Sequence, residues 1–308
     1  MIKRIISGML FATTAHAQQW IPYDYGTTSP NLEAYFTHTY DSDSYKTNSL
    51  LNGGYTKENI GAFVGYSEYS SRSFTEYSQV AEVAYKSSII SGKGGARVIN
   101  GHSNFIGDVE HRGRLSNNLS YGVSGVYDIV DSINGIKNNI RSFYTGMDID
   151  YQPVERVSIA GVLSNTYYTD DNTRQMLRGK MSYVVVPEYG VSVYYKAKAQ
   201  HDTSPGSKNY YSPKELYENS IGVSIRERFA SVVVTGAIDF GIQDATSSNN
   251  VKTNQSIHTY QLGIQTSPST KNGVTYGVVM IQTNSGNNYN SSDGYSWTGI
   301  NGWVKIPF

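Results

Sequence analysis

The feature of this chain that most limits its fold is a period-two alternation of apolar and polar residues along nearly the whole sequence. Between residues 191 and 200, one set of alternate positions holds valine, tyrosine and alanine, and the other holds serine, tyrosine, lysine and glutamine. Successive side chains of a strand point to opposite faces, so this pattern predicts strands with two different faces. No long apolar run and no helical period competes with it after residue 17.

About sixteen alternating segments can be counted, within a range of roughly twelve to eighteen. Each segment with its connection takes about 18 residues, which fits a membrane-spanning strand of ~10 residues followed by a turn or a loop. The segments lie near residues 31–41, 45–56, 59–70, 76–88, 93–102, 105–115, 118–130, 138–151, 156–168, 174–186, 190–201, 215–227, 230–243, 256–266, 273–283 and 295–308.

The connections between these segments show a second regularity. Odd-numbered connections are rich in Asp, Asn and Ser and often long, as at 131–138, 202–214, 244–255 and 284–294. Even-numbered connections are short, as at 56–58, 152–155, 187–189 and 267–272. Long loops at one end and short turns at the other are typical of outer-membrane barrels, whose even strand count returns both chain ends to the periplasm.

The charges of one segment explain why such a sheet must close around water. Between residues 106 and 115, Asp108, Glu110, Arg112 and Arg114 share one face. Four charges are costly in a dry core but cost little when their face lines water. In hydrocarbon every unpaired backbone N–H or C=O is also costly, so the sheet can have no edges. The sequence therefore predicts an all-β, transmembrane, antiparallel outer-membrane β-barrel; the alternative is a soluble periplasmic β-sandwich.

Polar positions on the predicted inner face are the candidates for a substrate path through the lumen. Because they are assigned by alternation, a register error of one residue would turn any strand's set toward lipid. Their alternative role is a salt-bridged lining that rigidifies the barrel. The candidates are Asp108, Glu110, Arg112, Arg114, Asp148, Asp150, Arg178, Lys180, Lys196, Lys198, Arg226 and Asp239, with Glu82, Lys86 and Arg97 added on neighbouring segments.

The two ends of the sequence predict export. Lys3 and Arg4, an apolar stretch over 5–14 and Ala15-His16-Ala17 form a signal-peptide pattern, which predicts cleavage after residue 17. Residues 18–308 then form a single outer-membrane β-barrel. The terminal Phe308 ends an alternating segment and resembles the outer-membrane assembly signal. We therefore expect location in the outer membrane of a Gram-negative bacterium, with outer-membrane lipids, lipopolysaccharide and the barrel assembly machinery as partners.

The segment 209–223 contains an aromatic–Ser–Pro turn, Tyr210-Tyr211-Ser212-Pro213, at the opening of a predicted strand. This motif and its place resemble the barrel portion of the outer-membrane exporters of exopolysaccharides, the cellulose and poly-N-acetylglucosamine type. The resemblance implies a sixteen-stranded channel for a sugar polymer. From their length, we expect long loops such as 202–214 to fold inward and gate the channel. It also implies an inner-membrane synthase and a periplasmic helical-repeat scaffold on a separate polypeptide, or else a different task for this chain. The same motif is also a rigid turn, since proline fixes its own φ and extends the preceding residue.

Several other functions share this architecture or are excluded by composition. A general or oligosaccharide-selective diffusion porin and a phage or host receptor remain alternatives. A surface hydrolase could use Asp170, Asp171, His201 and Asp202 at the rim, although we expect no enzyme. The chain has no Cys, and its His residues show no ligand spacing, so we predict no cofactor and no metal. Its formal net charge of zero argues against nucleic acid as a partner.

Overall fold

The computed structural model describes residues 31–42, 45–57, 59–266, 273–285 and 295–307. These ranges contain sixteen strands, one short α-helix and one 3₁₀ turn (Pro187–Tyr189). The predicted signal peptide (1–17) and Phe308 lie outside the described residues. The elements are β1 (Asn31–Asp41), β2 (Lys46–Lys57), β3 (Ile60–Ser71), β4 (Phe74–Lys86), β5 (Ile90–Ile99), β6 (His102–Ser116), β7 (Leu119–Ile129), α1 (Ile133–Lys137), β8 (Arg141–Val154), β9 (Val157–Tyr168), β10 (Thr173–Val186), β11 (Val191–Asp202), β12 (Glu215–Phe229), β13 (Val232–Thr246), β14 (Lys252–Thr266), β15 (Thr275–Ser285) and β16 (Tyr295–Pro307).

Every strand pairs antiparallel with its sequence neighbours, and β1 pairs with β16 to close the ring. Asn31 lies opposite Pro307 and Asp41 lies opposite Trp297. Pro307 is the last residue of its strand, where a missing N–H removes little of the ladder. The prediction of an all-β, closed antiparallel barrel of about sixteen strands is confirmed, with sixteen strands in the ring. Within the described ranges, no helix is long and apolar enough to cross a membrane.

The two faces of the closed sheet differ as the alternation predicts. On β6, Phe105 is 66% exposed, whereas its neighbours Asn104 and Ile106 are 4% and 2% exposed. Outward-pointing apolar side chains such as Leu262 match lipid, and the inner face is free to be polar. Strand bounds lie within a few residues of those predicted. The largest difference is at β14, which begins at Lys252 rather than near 256.

The connections define two ends of the barrel. We call the end with the odd-numbered connections the loop end and the other the turn end. The odd connections after β3 and β5 are only the pairs 72–73 and 100–101, and pairing of Thr246 with Lys252 shortens the expected loop at 244–255. The odd connection after β7 contains α1, which the sequence did not predict. The helix is capped by Ser132, whose Oγ accepts the N–H of Gly135 at 3.0 Å.

Candidate functional site: the lumen and its loop-end lid

The structure places all twelve predicted path residues on the inner face of the barrel. Arg114 on β6 and Asp150 on β8 both lie opposite Ser120 of β7, and pairing across such positions keeps side chains on the same face. Two of the outward neighbours, Val109 and Met147, are 55% and 50% exposed. This placement is what a path through the lumen requires; a role for these residues in passage stays a prediction.

Charges on the inner wall formed by β4–β8 are mostly held in ion pairs. Paired charges compensate each other's desolvation and hold long side chains against the wall. The wall therefore has the salt-bridged character anticipated for a rigid lining, and it still presents polar atoms to the lumen. The pairs are Lys93–Glu82 (3.3 Å), Lys93–Asp108 (3.6 Å), Arg97–Asp128 (3.1 Å), Arg112–Glu110 (2.5 Å) and Arg112–Asp148 (3.6 Å).

The inner wall formed by β10 and β11 is rich in cations. Lys196 pairs with Asp239 at 2.6 Å, and Lys198 pairs with Glu218 at 3.1 Å. The Lys180 ammonium lies 4.1 Å from the centroid of the Tyr194 ring, a cation–π contact. This side of the lumen is therefore electropositive relative to the β4–β8 wall.

A third part of the inner wall is aromatic, and the sequence reasoning missed it. Trp297 and Trp303 lie on the inner face of β16, which also carries Asn301 and Lys305. A Cβ added at Gly277 would lie 2.1 Å from the Trp303 ring, and one added at Gly299 would lie 2.4 Å from the Trp297 ring. Each indole therefore lies directly over glycine backbone on the inner wall. We call these two residues the tryptophan pair.

Two connections at the loop end, 130–140 and 203–214, fold over the mouth of the barrel, and we call them together the lid. Ile136 of α1 is 1% exposed and belongs to one apolar cluster with Tyr69, Phe74 and Ile99 from the ends of β3, β4 and β5. Tyr45, ahead of β2, donates its hydroxyl to Asp131 at 2.5 Å. The first half of the lid thus spans from its own strands to the part of the rim formed by β2–β5.

The two halves of the lid bind each other. Asn134 Nδ2 donates to the carbonyl of Lys208 at 2.7 Å, and Asn138 Nδ2 donates to Asn209 Oδ1 at 2.8 Å. Ser132 Oγ donates to the carbonyl of Asn209. Connections separated by four strands therefore meet across the mouth. The inward folding expected of residues 202–214 is present.

The Tyr210-Tyr211-Ser212-Pro213 motif anchors the second half of the lid. Tyr210 stacks on Tyr168 of β9 at 4.2 Å, and the Arg174 guanidinium lies within 5.8 Å of the centroids of both rings. Arg174 also donates to the carbonyl of Tyr211 at 2.5 Å and pairs with Asp202 at 2.9 Å. Ser212 is buried and accepts from Asn172 at 3.1 Å, and Pro213, also buried, leads into β12.

Two aspartates of the lid region have pKa values shifted in opposite directions. Burial raises the pKa of Asp131 more than its hydrogen bond from Tyr45 lowers it. At Asp170, burial acts upward, but hydrogen bonds from Asn209, Tyr210 and Ser207 outweigh it and hold the pKa below its usual value. Burial and the Asp170 hydrogen bond raise the pKa of Tyr210. Asp170 is therefore an ionised anchor for residues 203–214.

The candidate rim residues for hydrolysis are not assembled into a catalytic group. His201 points outward and is exposed, whereas Asp202 points inward and is committed to Arg174. Asp170 is occupied by lid donors, and within residues 59–266 no described contact joins His201 to Asp170 or Asp171. In the described part of the chain, no group of three or more His, Asp or Glu side chains could hold a metal ion.

No family model matches the sequence, and no curated protein does so either. Among solved structures, a bacterial polysaccharide outer membrane secretin is similar with a TM-score of 0.69 and 12% identity, covering 91% of this chain and 99% of that one. Pseudomonas aeruginosa OccK5 (OpdH) has a TM-score of 0.47 at 10% identity, covering 91% and 98%, and Pseudomonas aeruginosa OprD has 0.46 at 10%, covering 91% and 94%. At these identities the first likeness shows the outer-membrane barrel fold and nothing further.

Proposed function

We propose that this chain is a channel in the outer membrane of a Gram-negative bacterium through which a sugar polymer of the exopolysaccharide type passes. The observation that carries the proposal is the tryptophan pair, Trp297 and Trp303, whose rings lie over Gly299 and Gly277 on the inner wall. The apolar faces of sugar rings stack on flat aromatic surfaces. Two such surfaces along one strand offer successive, weak contacts to a moving chain.

The remaining wall suits the same task. A polymer must slide, so no single site can hold it tightly, and hydrogen-bonding groups have to be dispersed. Most charges on β4–β8 are ion-paired, which leaves polar atoms available without a concentrated field. The lid, joined across the mouth by Asn134 and Asn138, supplies a movable barrier at the loop end.

The similarity in fold to a polysaccharide secretin supports the proposal, as does the resemblance of residues 209–223 to exopolysaccharide exporters. On this proposal the loop end faces the cell exterior. The partners would be the sugar polymer, lipopolysaccharide and other outer-membrane lipids, the barrel assembly machinery, and an inner-membrane synthase working with a periplasmic helical-repeat scaffold.

Block of single-channel current by neutral oligosaccharides tests this function. In planar bilayers, a cello-oligosaccharide should interrupt the current through the purified barrel. Replacing Trp297 and Trp303 by Ala should shorten the interruptions, by roughly fivefold for each ring removed. The matched control is Phe240→Ala, which removes an aromatic side chain from the outer face and should leave the interruptions unchanged.

Two results would contradict the proposal. A large, steady conductance with no oligosaccharide block, together with rapid uptake of small solutes into liposomes, would make the protein a general diffusion porin. Block that persists unchanged in the double tryptophan variant would remove the observation on which the sugar path depends.

A further inference from the structure

The second half of the lid, 203–214, is attached to the neighbouring rim by charged side chains. The Asp170 carboxylate, between β9 and β10, accepts hydrogen bonds from three side chains of this segment at 2.8, 2.9 and 3.0 Å. Arg174 is 7% exposed and donates to the carbonyl of Tyr211 at 2.5 Å. Hydrogen bonds to charged groups are roughly twice as strong as those between neutral groups. The second half is therefore held firmly along much of its length.

The first half of the lid has its strongest attachments at its root. The N–H of Val130 donates to the carbonyl of Ile140 at 2.9 Å, which continues the ladder between β7 and β8. Next to it, the Asp131 carboxylate accepts a hydrogen bond from the Tyr45 hydroxyl at 2.5 Å. Val130 and Ile140 also belong to one apolar cluster with Tyr210. These contacts lie where the segment leaves and rejoins the barrel, so they fix the root and leave the position of α1 to other contacts.

Beyond the root, α1 is docked chiefly by Ile136, with Ile133 packed beside it. Ile136 is 1% exposed in the apolar cluster at the ends of β3, β4 and β5. Asn100 donates to the carbonyls of Ile136 and Lys137 at 3.4 and 3.3 Å, which is long for an N–H···O hydrogen bond. The Lys137 ammonium lies 5.0 Å from the centroid of the Phe74 ring, an exposed and therefore weak cation–π contact. A helix of five residues has little stability of its own, so the position of α1 depends mostly on the burial of Ile136.

Neutral hydrogen bonds connect α1 to the second half of the lid. Asn134 donates to the carbonyl of Lys208, and Asn138 donates to Oδ1 of Asn209. Ser132, which caps α1, donates to the carbonyl of Asn209. Asn134 and Asn138 are exposed, so water can replace their bonds when the two halves separate. These bonds therefore oppose a movement of α1 less than the burial of a large apolar side chain does.

We propose that α1 is the gate of this channel and that the second half of the lid is a fixed stop against which α1 closes. To open, α1 turns about the root of the first half, Ile136 leaves its cluster, and the hydrogen bonds to residues 208–209 break. The cost of exposing Ile136 makes the closed position the resting one. The gate is thus the segment 130–140, whereas loop length alone favours 202–214. This inference rests on the proposed function in one respect, that the barrel is a channel, and not on which solute passes.

Distances between spin labels test which half of the lid moves. The chain contains no Cys, so labels attach at introduced Cys residues alone. One pair joins Lys137→Cys on α1 to Ile242→Cys on the outer face of β13, and the other joins Lys208→Cys on the second half to the same reference. In liposomes, pulsed EPR should give a broader distance distribution for the first pair, because α1 occupies two positions. Ile136→Ala should shift the first distribution and leave the second unchanged.

The current through single channels tests whether α1 is the gate. Ile136→Ala should raise the fraction of time spent open about tenfold, because it removes most of the side chain that docks α1. The matched control Val251→Ala truncates an exposed apolar side chain on another loop-end connection and should leave this fraction unchanged. Joining Asn138→Cys to Asn209→Cys with a short bifunctional reagent should abolish the openings.

The proposal is wrong if the Lys208→Cys pair shifts as much as the Lys137→Cys pair, since the second half would then move with α1. It is also wrong if openings persist after the cross-link, or if Ile136→Ala and Val251→Ala have the same effect. If Ile136→Ala does not fold, the barrel with Ile136 intact still decides, because a second distribution as broad as the first contradicts a fixed stop. A channel that opens but is never blocked by a cello-oligosaccharide would contradict the proposed polymer path and leave the gate standing.

Discussion

The positions of two indole rings in the lumen depend on neighbouring residues that have no side chain. Trp303 occupies the space where a side chain of Gly277 would be, on the adjacent strand, and Trp297 does the same over Gly299 of its own strand. A Cβ closer than about 3 Å to a ring is not tolerated, so only glycine leaves room for the indole ring beside it. The placement of each ring therefore depends on two residues, the tryptophan itself and the glycine beside it.

Gly277→Ala should therefore displace the Trp303 ring from the wall rather than distort the strand, because the clashing atoms are at the far end of the side chain. We expect a shift in tryptophan fluorescence and shorter oligosaccharide blocks, with a loss in stability of about 1–2 kcal/mol. Gly179→Ala is the control, since a Cβ there meets nothing within 4 Å. Equal effects of the two substitutions would contradict this account.

Sequence alternation predicts which face a residue occupies, but not which residue lies beside it. The inner positions of Asp108, Lys180 and Asp239 follow from parity within one strand. The contacts of Lys180 with Tyr194 and of Trp303 with Gly277 depend on register between strands, which is set by the whole ring. That is why the cations were predicted individually while the tryptophan pair was not.

At the scale of elements, the lid joins parts of the chain that are far apart in sequence. The inward folding expected of 202–214 could be predicted from loop length. The docking of α1 could not, since the residues 133–137 show no helical pattern, and the helix is held by tertiary contacts of Ile136. Tertiary packing therefore determines the helical conformation of 133–137, which local helix propensity alone does not.

The ionised Asp170 makes the second half of the lid sensitive to acid. Its folded-state pKa is lowered, so it stabilises the loop above the ordinary carboxylate value of 3.8, and this stabilisation is lost as the pH falls below it. Channel noise should therefore stay constant from neutral pH to about pH 5 and increase below about pH 4. Asp170→Asn should show increased noise already at neutral pH.

The adjacent Asp171 is a matched control for this titration. It is exposed, and its φ of 63° is one that asparagine also tolerates, so Asp171→Asn should keep the wild-type pH profile. If Asp170→Asn and the wild type were equally quiet at neutral pH, the carboxylate would not be an anchor of the lid. Asp131 responds to pH in the opposite sense. Burial raises its pKa, so protonation removes the free-energy cost of burying its negative charge.

At the scale of the molecule, one sheet separates two solvents. Gln261 and Leu262 are neighbours on β14, yet the first faces the lumen and the second is 62% exposed on the outer face. Leu262→Arg should lower the free energy of unfolding in lipid by roughly 2–4 kcal/mol, because it places a charge in hydrocarbon. Gln261→Arg should cost less than about 1 kcal/mol. Denaturant titration of both variants in liposomes measures the difference, and equal losses would contradict a lipid-facing outer wall.

The pairing of Asn31 with Pro307 has a consequence for biogenesis. The barrel closes only when its last strand pairs with its first. Every shorter intermediate therefore has two unpaired sheet edges, which can associate with other chains. An incomplete sheet gains little stability from having most of its strands paired. The pairing of β1 with β16 is therefore an all-or-nothing step of folding. The cell must therefore protect the incomplete sheet until its first and last strands pair.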